Sequence, residues 1–311
     1  MTFPLPSRLA RNGRPVVASG VVRSAMLALA TSLAACTTVG PDYRVPDTAM
    51  PSAFRAGATA TAGEADLSQW WTRFDDPLLT QLVTRALAGG YDVRQAQARL
   101  REARARRGFA EADRFPTISS RTGASRQRRS DEVGFRSATE LYSAGFDASW
   151  ELDLFGARRR ALEAADASLD AAGEDLRDVR VSLSAEVALN YVETRAFQAR
   201  LALASASLAA QRDTHDIARW RNEAGLVTAL DVEQARTALE QTRAQIPLLA
   251  AGFEQAKNRL AILLAENPGA LDDLLAPSVA VPTPPQAIAT GVPADLLRRR
   301  PDIRQIGRAH V

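Results

Sequence analysis

The chain has 311 residues, with 39 basic and 36 acidic side chains, two histidines and one cysteine. A single cysteine excludes an internal disulfide framework, and two histidines without a cysteine pair leave no sequence-local zinc site. Apolar residues make up 46% and aromatics 6%, a composition of neither a disordered chain nor an ordinary helical membrane protein.

Residues 1–35 carry Arg8, Arg11, Arg14 and Arg23 and no acid. The apolar run that follows, "AMLALATSLAA" (25–35), is too short to cross a bilayer as a helix. A basic flank ahead of a short apolar run is the pattern of a secretory signal. Small residues then lead to Cys36. The stretch "LAAC" resembles a bacterial lipobox, which implies cleavage before Cys36 and a covalent lipid on it, with no other cofactor. Thr37 follows in place of an acid, and in such signals this favours the outer membrane. A free or buried cysteine behind an ordinary cleaved signal is the other reading of Cys36. Removing four arginines takes the formal charge from +3 to −1 for 36–311, so bulk charge points to no nucleic-acid partner.

Residues 36–63 are rich in Pro, Ala and Thr without periodicity and read as an extended strap behind the anchor. Short helices are expected over 64–115. Asp76 before Pro77 is a helix start, since the carboxylate accepts from the first turn and proline lacks an N–H that would be unpaired there anyway. Leu78, Leu82 and Leu87 follow at helical spacing. Gly89 and Gly90 end this helix, and Asp92 caps another that runs to Phe115-Pro116.

Over 116–155 the period changes. In "YSAGFDASWELDLFG" the even positions Tyr142, Ala144, Phe146, Ala148, Trp150, Leu152 and Leu154 are apolar, while the odd positions, among them Asp147, Glu151 and Asp153, are small or polar. Period two over thirteen residues fits a strand with one face on lipid and one on water, long enough to cross a bilayer when tilted. A soluble sheet strand fits the same alternation. A weaker partner strand is expected over 117–128. The loop between them holds Arg126, Arg128, Arg129 and Arg136, with Arg121 just before. Without interleaved aromatic platforms, and with acids alongside, this cluster reads as a solvated loop and not as a nucleic-acid site.

The longest element is expected over 156–265. Leu162, Leu169, Leu176 and Leu183 repeat every seven residues, and Val187, Thr194, Leu201 and Leu208 continue in a second phase. With no proline and one glycine between 157 and 222, this predicts a helix about 100 Å long. After the break at "NEAGLVTALD", Val232, Leu239, Ile246, Phe253 and Leu260 form one row, and Ala235, Thr242, Leu249, Ala256 and Leu263 the complementary one. That is the a/d seam of a coiled coil, and a short turn between two such helices makes an antiparallel hairpin. Pro247 should kink or interrupt the second helix. His215 has no second ligand or acid–base partner in sequence reach and reads as a structural or surface histidine. No motif for enzyme chemistry is found, and the acidic pairs Asp75-Asp76 and Asp272-Asp273 are explained as helix starts.

In this order, with "CTTVGPDY", "WW", "FDASWELDLFG", "AGLVTALDV" and "LLRRRPDIR", the chain resembles the TolC-like outer-membrane factors of tripartite efflux pumps, in their NodT-type lipoprotein branch. The resemblance extends from Leu33 to Arg304; "ALAGGYD" departs from it where the family usually has asparagine before the helix. It implies a mostly α fold with a small β part: a long coiled-coil hairpin and two barrel strands, the first of two structural repeats. It further implies a homotrimer sharing a twelve-stranded barrel, a periplasmic adaptor protein, an inner-membrane pump that supplies the energy, and a passive duct for small molecules. By motif match Arg221, Gly225, Leu226, Thr228, Leu230 and Asp231 would meet the adaptor at the hairpin turn. The same residues also read as a glycine that permits the turn and an acid that caps the next helix. Tyr142, Phe146, Trp150, Leu152 and Leu154 would face lipid, and Asp147, Glu151 and Asp153 the lumen.

A Pro-rich connector (266–292) leads to "PDIRQ", which repeats "YDVRQ" at 91–95, so 293–304 reads as the start of a second repeat. Residues 305–311 read as a non-native tail, since "IGRAHV" is one frame of a common sequencing adapter, and the chain then reads as C-terminally truncated. Three functions compete: a channel subunit, a lipid-anchored periplasmic coiled-coil structural or adaptor protein without a pore, and an arginine-rich nucleic-acid binder, which the lipobox disfavours.

Overall fold

The computed structural model describes residues 39–40, 68–128, 138–284 and 297–306. The signal segment, Cys36, most of the strap, the inter-strand loop, the end of the connector and the last five residues lie outside them. A 3-10 turn (Trp70–Phe74) leads to α1 (Pro77–Gly89) and α2 (Tyr91–Ala112), then to strands β1 (Thr117–Arg128) and β2 (Ala138–Ser149). The long helices α3 (Ala157–Glu223) and α4 (Ala229–Leu263) follow, then the short α5 (Asp272–Leu275) and α6 (Pro301–Ile306). The residues form two compact units, one spanning Gly108–Glu163 with Val39 and Gly40, the other holding the rest.

In the larger unit, α1 begins where Asp76 accepts a hydrogen bond from the Leu79 N–H at 3.0 Å, with Pro77 in the first turn. Its buried stripe is Leu79, Leu82, Val83 and Ala86, spaced i, i+3, i+4 and i+7; Leu78 and Leu87 flank it half-buried. This stripe meets Leu183, Val187, Ala188 and Tyr191 of α3, Leu260 and Ala261 of α4, and Leu264, Leu271 and Leu275 beyond. Each fully buried leucine contributes about 2 kcal/mol. Trp71 closes the cluster, and the Trp70 indole N–H donates to Ser184 Oγ at 3.3 Å.

The helix expected to be capped by Asp92 starts one residue earlier, at Tyr91, and Asp92 sits in its first turn. The junction is set by Gly90. A Cβ there would stand 2.7 Å from the Ala86 carbonyl oxygen, 3.1 Å from Leu183 Cδ2 and 3.3 Å from the Leu263 carbonyl oxygen. The departure "ALAGGYD" thus has a local reason: two backbones and a core leucine close on this position.

The heptad rows are realised in burial. All eight α3 positions from Leu162 to Leu208 and all ten α4 seam positions are buried or half-buried. Pairs between the two helices follow an antiparallel hairpin: Arg259 donates to Asn190 Oδ1 (2.9 Å) and Glu193 Oε2 (2.6 Å), and Gly252 lies against the Phe197 ring. Of the kink or interruption expected at Pro247, the interruption does not occur: α4 runs through it. Pro247 lies on the exposed side, where water can take the carbonyl its missing N–H frees. After α4 the chain turns through Ala265 at φ 59°, with Glu266 N–H on Ala261 O (2.9 Å) and Ala265 N–H on Ile262 O (2.9 Å), a Schellman closure carried by a non-glycine residue.

These two turns make opposite demands on a side chain. Gly90→Ala should destabilise the chain by about 1–3 kcal/mol through overpacking, read as a lower denaturant midpoint. Ala265→Gly should stabilise it by about 1 kcal/mol by removing left-handed strain at an L-residue; a lowered midpoint would contradict the turn geometry.

Candidate functional site

The strands pair antiparallel in register from Thr117↔Ser149 to Arg128↔Ala138. Residues opposite one another share a face, so Tyr142, Ala144, Phe146 and Ala148 lie with Ala124, Thr122, Ser120 and Ile118. The opposite face carries Ser143, Gly145 and Asp147 with Gly123, Arg121 and Ser119. From Tyr142 to Ala148 that apolar and small-residue face runs about 20 Å at strand rise. At one end of that face Arg126 and Glu140 pair at 3.5 Å, and Tyr142 Oη donates to Glu140 at 3.3 Å. All twelve residues of each strand are exposed, Phe146 by 84%. Of the basic cluster, Arg121, Arg126 and Arg128 lie on β1; Arg129 and Arg136 fall outside the described residues.

The expected strand ran to Leu154, whereas β2 ends at Ser149. Its partner starts at Thr117, directly after Pro116, which has no N–H with which to extend the ladder. Trp150, Leu152 and Leu154, expected on the lipid face, and Glu151 and Asp153, expected on the lumen face, therefore lie beyond the sheet. The Trp150 indole donates to the Arg114 carbonyl (3.2 Å), Glu151 pairs with Arg158 (3.0 Å), and Asp153 accepts from the Arg159 N–H (2.9 Å) in the first turn of α3. Alternation outlasted the sheet because the connecting segment serves the helix start with the same acids.

The hairpin turn assembles all six tip residues. Gly225, at φ +74°, closes α3 as a Schellman motif: its N–H bonds Asn222 O at 2.9 Å, and the Leu226 N–H bonds Arg221 O at 2.8 Å. Asn222 Nδ2, a residue the sequence did not single out, donates to Val227 O at 2.8 Å. α4 starts with a reciprocal capping box. The Thr228 hydroxyl is the cap that accepts from the Asp231 N–H at 3.4 Å, and the Asp231 carboxylate accepts from the Thr228 N–H at 2.8 Å. Asp231 is thus the third helical residue, which closes the box, and not the cap itself. The Thr228 hydroxyl at 2.7 Å, with the Thr228 N–H, holds the Asp231 carboxyl below its ordinary range. Leu226 and Leu230 stand 69% and 66% exposed, and Arg221 is exposed beside them.

Heptad reading also missed a buried polar network in the larger unit. Tyr191 Oη donates to Asp76 at 2.7 Å; Arg195 Nε donates to Tyr191 Oη (3.2 Å), and its Nη1 donates to Gln198 Oε1 (2.7 Å) and Pro277 O (2.8 Å). Burial pushes the Tyr191 phenol up, so it stays a donor. The network lines an open cleft of about 520 Å³ with Phe74, Leu78 and Val281. Nearby, Lys257 is held by Asp272 (2.7 Å) and Glu254 (2.9 Å). His215, expected to have no acid–base partner, has Asp216 3.7 Å away. Among the described residues no cluster of His, Cys, Asp and Glu could hold a metal ion, and no helix is long and apolar enough to cross a membrane.

Thr228→Ala should cost about 1 kcal/mol at the start of α4, read as faster amide exchange over 229–232. A depressed Asp231 pKa stabilises the box above the unfolded value of about 3.9 and loses that support as pH falls through the folded value. Exchange over 229–232 should therefore rise below about pH 4 relative to the intrinsic rate, and the Thr228→Ala variant should lose most of this pH dependence.

Residues 82–266 match the family described as "Outer membrane efflux protein". The chain is 33% identical over 271 residues to Nodulation protein T of Rhizobium leguminosarum bv. trifolii, covering 87% of this chain and 58% of that protein. It is 33% identical over 291 residues to the Toluene efflux pump outer membrane protein TtgF of Pseudomonas putida, covering 89% and 60%. Among solved structures, the outer-membrane channel OprN matches with a TM-score of 0.76 at 40% identity, over 87% of this chain and 61% of that one. CusC matches with a TM-score of 0.68 at 27% identity, over 88% and 61%. The chain thus spans between 58% and 61% of the length of these relatives. Its fold, mostly helical with one strand pair, is the TolC-like fold of those channels. With its family model, its NodT-type relatives and its fold in agreement, the chain belongs to the outer membrane efflux protein family, whose members are channels and not enzymes.

Proposed function

We propose that this chain supplies the first repeat of a protomer of an outer-membrane efflux channel, a passive duct for small molecules. One observation carries the reading: a fully exposed strand pair, one face bearing Tyr142, Phe146 and Ile118, and each strand with one edge unpaired among the described residues. In lipid an open edge leaves backbone groups without partners, so such a pair is viable only when other strands close a barrel. The apolar face is then turned to lipid and Asp147 to the lumen. Trp150, Leu152 and Leu154 follow at the strand end, where aromatic girdles sit, and Glu151 and Asp153 belong to the helix start. Closure to twelve strands calls for the strand pair of the second repeat as well as for further copies, in keeping with a homotrimer.

The hairpin tip takes the adaptor, through Arg221, Leu226 and Leu230, with Gly225, Thr228 and Asp231 holding the turn in shape. An inner-membrane pump supplies the energy, and a lipid on Cys36 anchors the strap to the outer membrane. The matched names include a toluene efflux pump component and a nodulation protein, and no residue here selects between such cargoes.

Conductance in planar bilayers tests this, using protein extracted from the host's outer membrane. Discrete ion-conducting steps are expected, with Asp147→Asn shifting ion selectivity. Phe146→Arg should abolish insertion, at about 2–4 kcal/mol per strand for a cation near the midplane. Cys36→Ser should lose labelled acyl chain. Correctly inserted protein that never conducts would favour the poreless coiled-coil reading.

A further inference from the structure

The motif "YDVRQ" that opens α2 returns as "PDIRQ" in α6, and the two copies are held differently. In the first, Val93 is fully buried in the core, while Arg94 is exposed with its guanidinium 5.8 Å from the Tyr91 ring centre. In the second, Ile303, which matches Val93, is 40% exposed, and Arg304, which matches Arg94, reaches Glu174 of α3, Nη2 to Oε1 at 3.2 Å. The first copy is anchored by its aliphatic residue, the second by its arginine.

Glu174 is unusual on α3. It is 3% exposed, on a helix whose other buried positions are mostly apolar. Its Oε1 also takes the Arg177 guanidinium at 2.7 Å, and its Oε2 is buried with no hydrogen-bond partner among the described residues. Burying a carboxylate here is costly, since taking the charge out of water is unfavourable unless donors meet both oxygens. The helix provides one donor, α6 a second, and an acceptor is left over. Arg300, one turn before Arg304, is within the field of Asp178, one turn after Glu174. It is itself clamped in place by Asp302 at 3.0 and 2.6 Å.

We propose that Glu174 is a docking carboxylate between repeats: it binds Arg304 at the opening of the second repeat, with its buried Oε2 left as a spare acceptor beside that contact. This rests on the two-repeat reading above. The first hairpin thereby recognises the second repeat by charge, because the aliphatic anchor of that repeat is reserved for a hairpin of its own.

Hydrogen exchange of the intact chain in detergent, read on a peptide covering 297–306, tests the docking. Arg304→Gln and Glu174→Gln should each speed exchange of the 301–306 amides about tenfold, the scale of losing a charge-assisted hydrogen bond. The double variant should be no faster than either single one. Because Glu174 is buried and its substitution also bears on α3, Arg304→Gln and Arg304→Glu serve as surface changes that leave α3 intact, and Arg177→Gln is the control that removes only the same-helix partner. An Arg304→Gln rate within about twofold of the parent, well short of a lost charge-assisted bond, or effects of Glu174→Gln and Arg304→Gln that multiply in the double variant, would overturn the proposal. No pore is needed for this readout, so a silent bilayer would sink the channel reading and leave the docking standing, and the reverse also holds.

Discussion

Burial of the α1 stripe is the interaction on which the larger unit depends. Leu79, Leu82, Val83 and Ala86 stand against Leu183 to Tyr191 on one long helix and Leu260 to Leu264 on the other. Two long helices joined only by a seam of alanines, threonines and single leucines bury a narrow strip each. The α1 stripe adds a third wall at the root of the hairpin, and the core of the unit is concentrated there. Gly90 belongs to this constraint, because α2 can leave the root only where the Ala86 and Leu263 carbonyls come within contact of its backbone.

Around that root the polar groups set position more than they add stability. A buried ion pair returns little net energy, whereas breaking one leaves an uncompensated charge. Lys257 bridges α4 to Asp272 and so places α5. Arg195 reaches the Pro277 carbonyl and so places the start of the connector, while Tyr191 ties the same group to the cap of α1 through Asp76. The Tyr191–Asp76 and Arg195–Pro277 contacts join segments far apart in sequence, so a slip in register would strand a charge.

The turn and the strand pair differ in how their backbones are satisfied. At the turn, the Schellman closure, the Asn222 amide and the Thr228–Asp231 box use residues within a few positions of one another. None of those bonds involves the side chains of Leu226 and Leu230, which leaves them open for contact. In the sheet, each strand bonds the other along one edge, and the remaining edges and both faces have no cover among the described residues. The tip satisfies its own backbone; the sheet keeps one edge of each strand unpaired among the described residues.

What the sequence determined by itself is what local periodicity and capping can carry. The heptad rows specify two long helices and their seam, Gly225 the turn, Asp76-Pro77 the start of α1, and the alternation around Phe146 a strand with unlike faces. The tertiary structure decided where those patterns stop and what the exceptions are for. Leu152 and Leu154 continue an alternation whose ladder ends at Pro116, a fact held by the partner strand. Pro247 leaves its helix intact because of which side it falls on. Glu174 and Arg195 are invisible to a heptad count, since neither falls on a heptad row and a buried charge is explained only by the distant group that meets it. Periodicity is a property of neighbours in sequence; termination, docking and compensation of charge depend on neighbours in space.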